Sequence, residues 1–206
     1  MYSLPNILTL ARIGVVPFVV VLIFLDGDLW RWLALLIYAA ACITDYFDGY
    51  LARTLNDQSD FGRLLDPIAD KILVGACLLA LTAVDAIADW TIIPALVILL
   101  REILVSGMRE FLAEIRVGMP VSKLAKWKTT IQMLAIGFVI IGPSGPPPLP
   151  TVIIGEVGLW VAAGLTLITG YDYLQRGLSH ATPEAERARR EAQAQKRRNP
   201  ATADPG

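Results

Sequence analysis

Four aspartates, Asp45, Asp48, Asp66 and Asp70, carry the clearest chemical potential in this 206-residue chain. The first two are spaced i, i+3 and the last two i, i+4, so on helices each pair shares one face. If the two helices run antiparallel across the intervening loop, both pairs reach the same depth. Four converging carboxylates repel one another unless cations sit among them. Hard oxygen ligands without His or Cys suit Mg²⁺ or Mn²⁺. Two such ions roughly 3.5–4 Å apart can clamp a phosphoryl group in transit. Gly49 removes a side chain where a nucleotide would approach the backbone, and Arg53 offers a fixed cationic fork for a phosphate. The competing reading is that these aspartates only pair with nearby Arg and Lys to end their helices. A charge at the centre of a membrane helix costs about 2.5–3.5 kcal/mol on insertion scales, but near an interface that cost does not decide the matter. The spacing of the whole pattern does.

The elements that must position these residues are membrane helices. The chain is 55% hydrophobic and 18% charged, with mean hydropathy +0.55, whereas soluble domains carry about 25% charged residues. Charge-free runs cover 13–25, 32–44, 72–84, 90–100, 129–155 and 157–171. With their flanks, most approach the roughly 20 residues needed to cross a hydrocarbon core. The expectation is an all-α integral membrane protein: a bundle of six transmembrane helices near 12–25, 30–53, 65–84, 91–115, 124–142 and 152–176. A short interfacial helix over 3–12 precedes them, with Leu4, Ile7, Leu8 and Ala11 on one face and Asn6, Thr9 and Arg12 on another. Pro67 is expected in a first helical turn, where its missing N–H costs little. The run 143–150 holds too many prolines to be helical. Residues 1–178 form one membrane domain; 179–206, polar and then Pro-containing, form a tail expected to be disordered. No cleavage site of the small-residue type follows the first apolar run, so it is read as a retained span.

Charge sets the expected orientation. Six spans put both termini on one side, together with the loops near 54–64 and 116–123. Seventeen of the 18 Lys and Arg residues belong to that side or to helix ends facing it, and only Arg31 to the other. The bias makes the first side cytoplasmic. Trp30, Trp32 and Trp90 fall at outer boundaries and Trp127 at an inner one, as interface-anchoring rings do. Cys42 and Cys77 lie in apolar runs and read as small buried hydrophobes, not a disulfide or a zinc site. The lone histidine, His180, lies beyond the last apolar run, which argues against a His-based metal site or a Ser-His triad.

The full pattern, Asp-x2-Asp-Gly-x2-Ala-Arg-x8-Gly-x3-Asp-x3-Asp over 45–70, resembles the signature of the CDP-alcohol phosphotransferase family at all eight fixed positions. That resemblance implies a six-helix membrane fold, a homodimer and a dimetal site open to the cytoplasm, in bacteria the inner membrane. It implies that Asp45, Asp48, Asp66 and Asp70 ligate two Mg²⁺ or Mn²⁺ ions and that Asp70 is the general base. Asp48, Gly49, Arg53, Gly62 and Asp66 would hold the CDP moiety. Three further blocks are similar to the bacterial branch whose acceptor is sn-glycerol 3-phosphate, covering roughly residues 3–175 in all. These are Pro-Asn-Ile-Leu-Thr-Leu-Ala-Arg over 5–12, Arg101-Glu102 through Arg109-Glu110, and Ser122 to Gln132. In that branch the donor is CDP-diacylglycerol and the products are phosphatidylglycerophosphate and CMP; no nucleic acid is involved.

An acceptor carrying a phosphate needs cations. Arg101, Arg109, Lys123, Lys126 and Lys128 lie at the inner ends of two successive spans, where such a pocket can form. Each alone is equally explained as ordinary positive-inside charge. Glu102 and Glu110 would pair with them. Asn6, Thr9 and Arg12 either close the polar mouth of the site or form the wet face of the interfacial helix. The tail's basic residues, among them Arg187, Arg189 and Arg190, are diluted by Glu184, Glu186 and Glu191 and read as solvated. Alternatives to this reading are the same chemistry on inositol phosphate, serine or phosphatidylglycerol, a cation-coupled transporter, and a non-catalytic scaffold. The last two leave the spaced Asp, Gly and Arg residues unexplained.

Overall fold

The computed structural model describes residues 4–55, 60–114 and 123–181; 1–3, 56–59, 115–122 and 182–206, which take in parts of the loops expected at 54–64 and 116–123 and most of the tail expected at 179–206, lie outside the described residues. Six helices follow in order: α1 (Leu4–Phe24), α2 (Asp28–Leu55), α3 (Asp60–Ala83), α4 (Ile92–Glu114), α5 (Lys123–Ile141) and α6 (Thr151–Ala181). Short 3-10 turns occupy Asp89–Thr91 and Gly142–Ser144. Among the described residues, Asp89–Ala113, Leu124–Ser144 and Thr151–Gln175 are long and apolar enough to cross a membrane, and Thr9–Phe24 and Lys71–Ala83 are shorter apolar stretches.

Each helix buries one stripe and turns an equally apolar face outward. On α1 the buried residues are Thr9, Arg12, Val16, Val19 and Ile23, a repeat of three and four that keeps one side inward. Phe18, Val21 and Phe24 are exposed on the same helix. The pattern recurs with Ala34, Tyr38 and Ala41 inside and Leu29, Leu36 and Ile43 outside on α2, and with Ala95, Ile98 and Val105 inside and Leu96, Leu100 and Ile103 outside on α4. Soluble proteins do not leave so much contiguous apolar surface in water. A lipid-facing exterior accounts for it, since hydrocarbon takes up such side chains without cost.

The bundle is held by packing of α1 on α2 and α3, α6 on α4 and α5, and α5 on α2 and α3. Without a hydrophobic drive between helices in lipid, close van der Waals contact must hold them, and small residues permit it. The α5–α6 seam shows this. A Cβ on Gly158 would stand 2.8 Å from the Ala135 Cβ, and one on Gly155 would stand 2.8 Å from Val139 Cγ2. Polar ties close the end where α5 turns into α6. Trp32 Nε1 donates to Ser144 O at 3.1 Å, Ser144 Oγ to Asp28 Oδ1 at 2.6 Å, and Thr151 Oγ1 to Gly142 O. Gly142 takes φ +49 there, a left-handed turn suited to glycine. Of the proline-rich run 143–150, Pro143 and Ser144 belong to the short 3-10 turn and residues 145–150 are non-helical, as expected.

Two expectations are corrected. No separate interfacial helix precedes the first span: α1 runs unbroken through residues 4–24. The reason lies in its inward stripe, which continues from Thr9 and Arg12 into Val16, Val19 and Ile23 and whose packing carries the helix through Gly14 and Pro17. Thr9 and Arg12 are 1% and 3% exposed, so that part of the polar face looks into the protein and not onto water. Nor does Pro67 stand in a first turn. α3 begins seven residues earlier, at Asp60, just after Ser59, a residue type that favours helix starts. Pro67 therefore sits within the helix, where it forfeits one backbone hydrogen bond. The other four expected spans coincide with α2, α4, α5 and α6 to within two residues at every end except the C-terminal end of α6, which runs on to Ala181.

Candidate active site

Short connections make successive helices antiparallel, so one end of the bundle collects the start of α1, the end of α2, the starts of α3 and α5, and the ends of α4 and α6. All the residues singled out from the sequence belong to this end. α2 carries Asp45, Asp48, Gly49 and Arg53 near its C-terminus, and α3 carries Gly62, Asp66 and Asp70 in its first half. Both helices pack on α1, which brings Thr9 and Arg12 to the same end. The eight signature residues, Ala52 included, together with Asn6 and Lys123, lie outside those whose side chains are described. Among the described residues no three His, Cys, Asp or Glu side chains cluster as a metal site would require. The test of a metal site here is the chemistry of the donor set. Four aspartates at i, i+3 and i, i+4 on two helices supply only hard oxygens, and they fit Mg²⁺ or Mn²⁺.

Beside this pair of helices, α4, α5 and α6 enclose a polar cluster at one end of an otherwise apolar core. Lys128 is 2% exposed and its Nζ donates to Glu102 Oε1, joining α5 to α4. Arg101 Nη1 stands 3.4 Å from the same Glu102 oxygen. Arg101 Nη2 donates to Thr169 Oγ1 at 3.1 Å, tying α4 to α6. The guanidinium carbons of Arg101 and Arg109 lie 5.7 and 5.9 Å from the ring centre of Tyr173, within cation–π range. The Tyr173 hydroxyl is buried and unpartnered, as are Arg101 Nε, Gln132 Oε1 and Thr166 Oγ1. Lys71, the residue after Asp70, is close enough to Lys128 for their charges to interact. The cluster thus adjoins the helix that carries two of the four signature aspartates.

Local sequence explains the convergence. Arg101, Val105, Arg109 and Leu112 recur at intervals of three and four on α4, so the two arginines share the face that buries Val105 and Leu112. Lys128 and Gln132 are one turn apart on α5 and continue the stripe of Ala135, Ile136 and Val139. Thr166, Thr169 and Tyr173 are spaced three and four on α6. Taking charges out of water costs several kcal/mol per ion unless each finds a partner. A protein that buries Arg101, Glu102 and Lys128 at this depth pays that cost for a use, and intramembrane ionisable residues default to function.

The structure brings together Arg101, Arg109 and Lys128, with Glu102 as the expected counter-ion. It does not bring Lys126 to them: Lys126 is exposed, about 200° around α5 from Lys128 at about 100° per residue. Arg109 and Glu110 are exposed as well, Arg109 over Tyr173. Thr169, Tyr173, Gln132 and Thr166 escaped the sequence reading. Their signal was present as polar residues repeating every three or four positions inside apolar spans. Neither Cys42 nor Cys77 forms a disulfide; Cys77 is fully buried, as read from the sequence, and Cys42 is only partly so.

An apolar exterior around a buried cluster of cations, with paired aspartates on adjoining elements, defines a membrane-embedded enzyme that handles phosphate groups. The chain belongs to the CDP-alcohol phosphatidyltransferase family, whose sequence model matches residues 2–168. It is similar to the CDP-diacylglycerol–glycerol-3-phosphate 3-phosphatidyltransferase of Rickettsia typhi, 49% identical over 175 residues, covering 85% of this chain and 97% of that protein. The protein of the same description from Cereibacter sphaeroides is 36% identical over 219 residues, covering 89% and 99% of the two chains. That of Shigella flexneri is 37% identical over 175 residues, covering 84% and 93%.

Proposed function

We propose that the chain transfers the phosphatidyl group of CDP-diacylglycerol to sn-glycerol 3-phosphate, giving phosphatidylglycerophosphate and CMP. Family membership and the close agreement with relatives of that description support the reaction. The observation that carries the choice of acceptor is the gathering of three cations, buried Lys128, partly buried Arg101 and exposed Arg109, at the same end of the bundle as the aspartates. Inositol phosphate would also want cations; serine would not want so many.

Asp45, Asp48, Asp66 and Asp70 would hold two Mg²⁺ or Mn²⁺ ions, which would supply positive charge against the diphosphate of the donor. Asp48, Gly49, Arg53, Gly62 and Asp66 hold the CDP moiety. Arg101, Arg109 and Lys128 fix the acceptor phosphate, and Thr9 and Arg12 with Asn6 border the site from α1. Asp70 takes the proton from the glycerol 1-hydroxyl as its oxygen attacks the phosphorus that bears diacylglycerol. The bond from that phosphorus to the CMP oxygen breaks, and CMP leaves. Positioning and electrostatics supply nearly all of the catalysis in such a transfer, with no covalent enzyme intermediate. The acyl chains stay in the bilayer while the head group reaches the aqueous site. The same reading takes the chain to span the membrane six times as a homodimer, with both termini and the site cytoplasmic.

Release of CMP by purified protein, with glycerol 3-phosphate, serine, inositol phosphate and phosphatidylglycerol as acceptors, tests this. Glycerol 3-phosphate should support the highest kcat/KM. Preference for another acceptor would overturn the choice of substrate and leave the family chemistry standing.

A further inference from the structure

Arg101, Arg109 and Lys128 form the pocket proposed for the acceptor phosphate, yet nothing in that assignment explains why a carboxylate should stand among them. Glu102 is no bystander in the geometry. Its Oε1 receives Lys128 from α5 and lies 3.4 Å from Arg101 Nη1 on its own helix. Arg101 is held in turn by Thr169 of α6 and lies over Tyr173 with Arg109. One carboxylate thereby ties α4 to α5, while Arg101 ties α4 to α6. Lys128 has a side chain only 3% exposed. An ammonium left at such a place without a counter-ion is strongly destabilising, and it swings toward water or gives up its charge. Either outcome removes it from the pocket.

The charge balance points the same way. Three cations and one carboxylate leave these four side chains with a net charge of +2. A phosphate monoester carries about −1.5 to −2 at neutral pH. With Glu102 in place, the bound acceptor neutralises the cluster; without it, three unbalanced cations would repel one another in the empty site. The unpartnered Tyr173 hydroxyl and Arg101 Nε beside them leave donors to spare for phosphate oxygens.

We infer that Glu102 is a positioning residue for the acceptor: by bridging α4 to α5 it holds Lys128 and Arg101, beside Arg109 and Tyr173, as a cluster of net charge +2 that receives the acceptor's phosphate. This rests on the acceptor pocket proposed above. Glu102 touches neither the reacting hydroxyl nor the donor; it acts through Lys128 and Arg101.

The test is steady-state CMP release by the full-length protein in lipid micelles with Mg²⁺. Glycerol 3-phosphate and CDP-diacylglycerol are titrated separately for Glu102→Gln, Glu102→Asp, Lys128→Met and the double variant Glu102→Gln/Lys128→Met. Glu102→Gln should raise the acceptor KM about tenfold or more, the size of a lost charge-assisted contact, and leave the donor KM within a few-fold. Glu102→Asp, which keeps the charge, should restore most of the difference. The double variant should raise the acceptor KM by less than the product of the two single effects, since both changes act through the same Lys128–Glu102 pair; this arm stands even if Glu102→Gln does not fold. If Lys128→Met raises the acceptor KM while Glu102→Gln leaves it at the wild-type value, the inference fails and the pocket survives. If Lys128→Met also leaves it unchanged, pocket and inference fall together. Equal rises in both KM values with a lowered melting temperature would make the ion pair merely structural and overturn the inference.

Discussion

Lys126 and Lys128 are indistinguishable as sequence, two cations at the inner end of one helix. Only burial separates them: Lys128 points inward onto Glu102 and Lys126 is exposed. Positive-inside charge describes Lys126 adequately and fails for Lys128. We therefore expect Lys128→Ala and Arg109→Ala to raise the apparent KM for glycerol 3-phosphate roughly tenfold to a hundredfold, consistent with the loss of a charge-assisted contact. The donor KM should stay within a few-fold, and Lys126→Ala should change either value little. Acceptor titration at saturating donor, then the reverse, checks all three variants. An unchanged acceptor KM in both Lys128→Ala and Arg109→Ala would put the phosphate elsewhere. Asp70 makes a sharper demand. As general base, Asp70→Asn should lose about 10²–10⁴ in kcat, more if metal affinity also drops, with donor binding suffering less. A variant turning over near the wild-type rate would take Asp70 out of the proton transfer.

Helices were the most legible part of the chain, because a membrane span announces itself as a charge-free run and needs no knowledge of its neighbours. The ends were less so. α1 continues through what read as a separate interfacial helix, since the polar stripe of Thr9 and Arg12 faces protein and a sequence cannot say which face is covered. Pro67 misled for a related reason: a tertiary context can hold a helix together through a proline that would end it in isolation. The Asp pairs were visible because their chemistry depends on spacing within a helix. The cluster proposed to take the acceptor was legible only in part, because Thr169 and Tyr173 meet Arg101 from a different helix. At the α5–α6 seam the packing makes a direct claim. Gly158→Val would place atoms inside the Ala135 contact, where a Cβ already stands at 2.8 Å. Overpacking of this kind typically costs about 1–3 kcal/mol. Gly164, with nothing within 4 Å of an added Cβ, is the control. Gly158→Val should lower the melting temperature in detergent, and Gly164→Ala should hold or raise it. Equal stability of the two variants would mean that the seam is not packed as described.

Taken as a molecule, the chain has one face to lipid all round and its buried charges gathered at a single end. That arrangement suits an enzyme whose donor is anchored in the bilayer and whose acceptor is soluble, and the orientation proposed from the Lys and Arg distribution has the charged end facing the cytoplasm. A tag placed after Gly206 should accordingly be reached by a membrane-impermeant reagent only once the cytoplasmic side is opened. Labelling from the external face of intact cells would reverse the orientation. The reaction itself is tested most directly by CMP release from CDP-diacylglycerol by the purified protein. Glycerol 3-phosphate should drive it with Mg²⁺ or Mn²⁺ present, and stripping the metal with excess EDTA should abolish it until either ion is restored. Turnover that persists after metal removal would contradict the dimetal site, and no CMP release with glycerol 3-phosphate under any metal condition would contradict the reaction proposed for this chain.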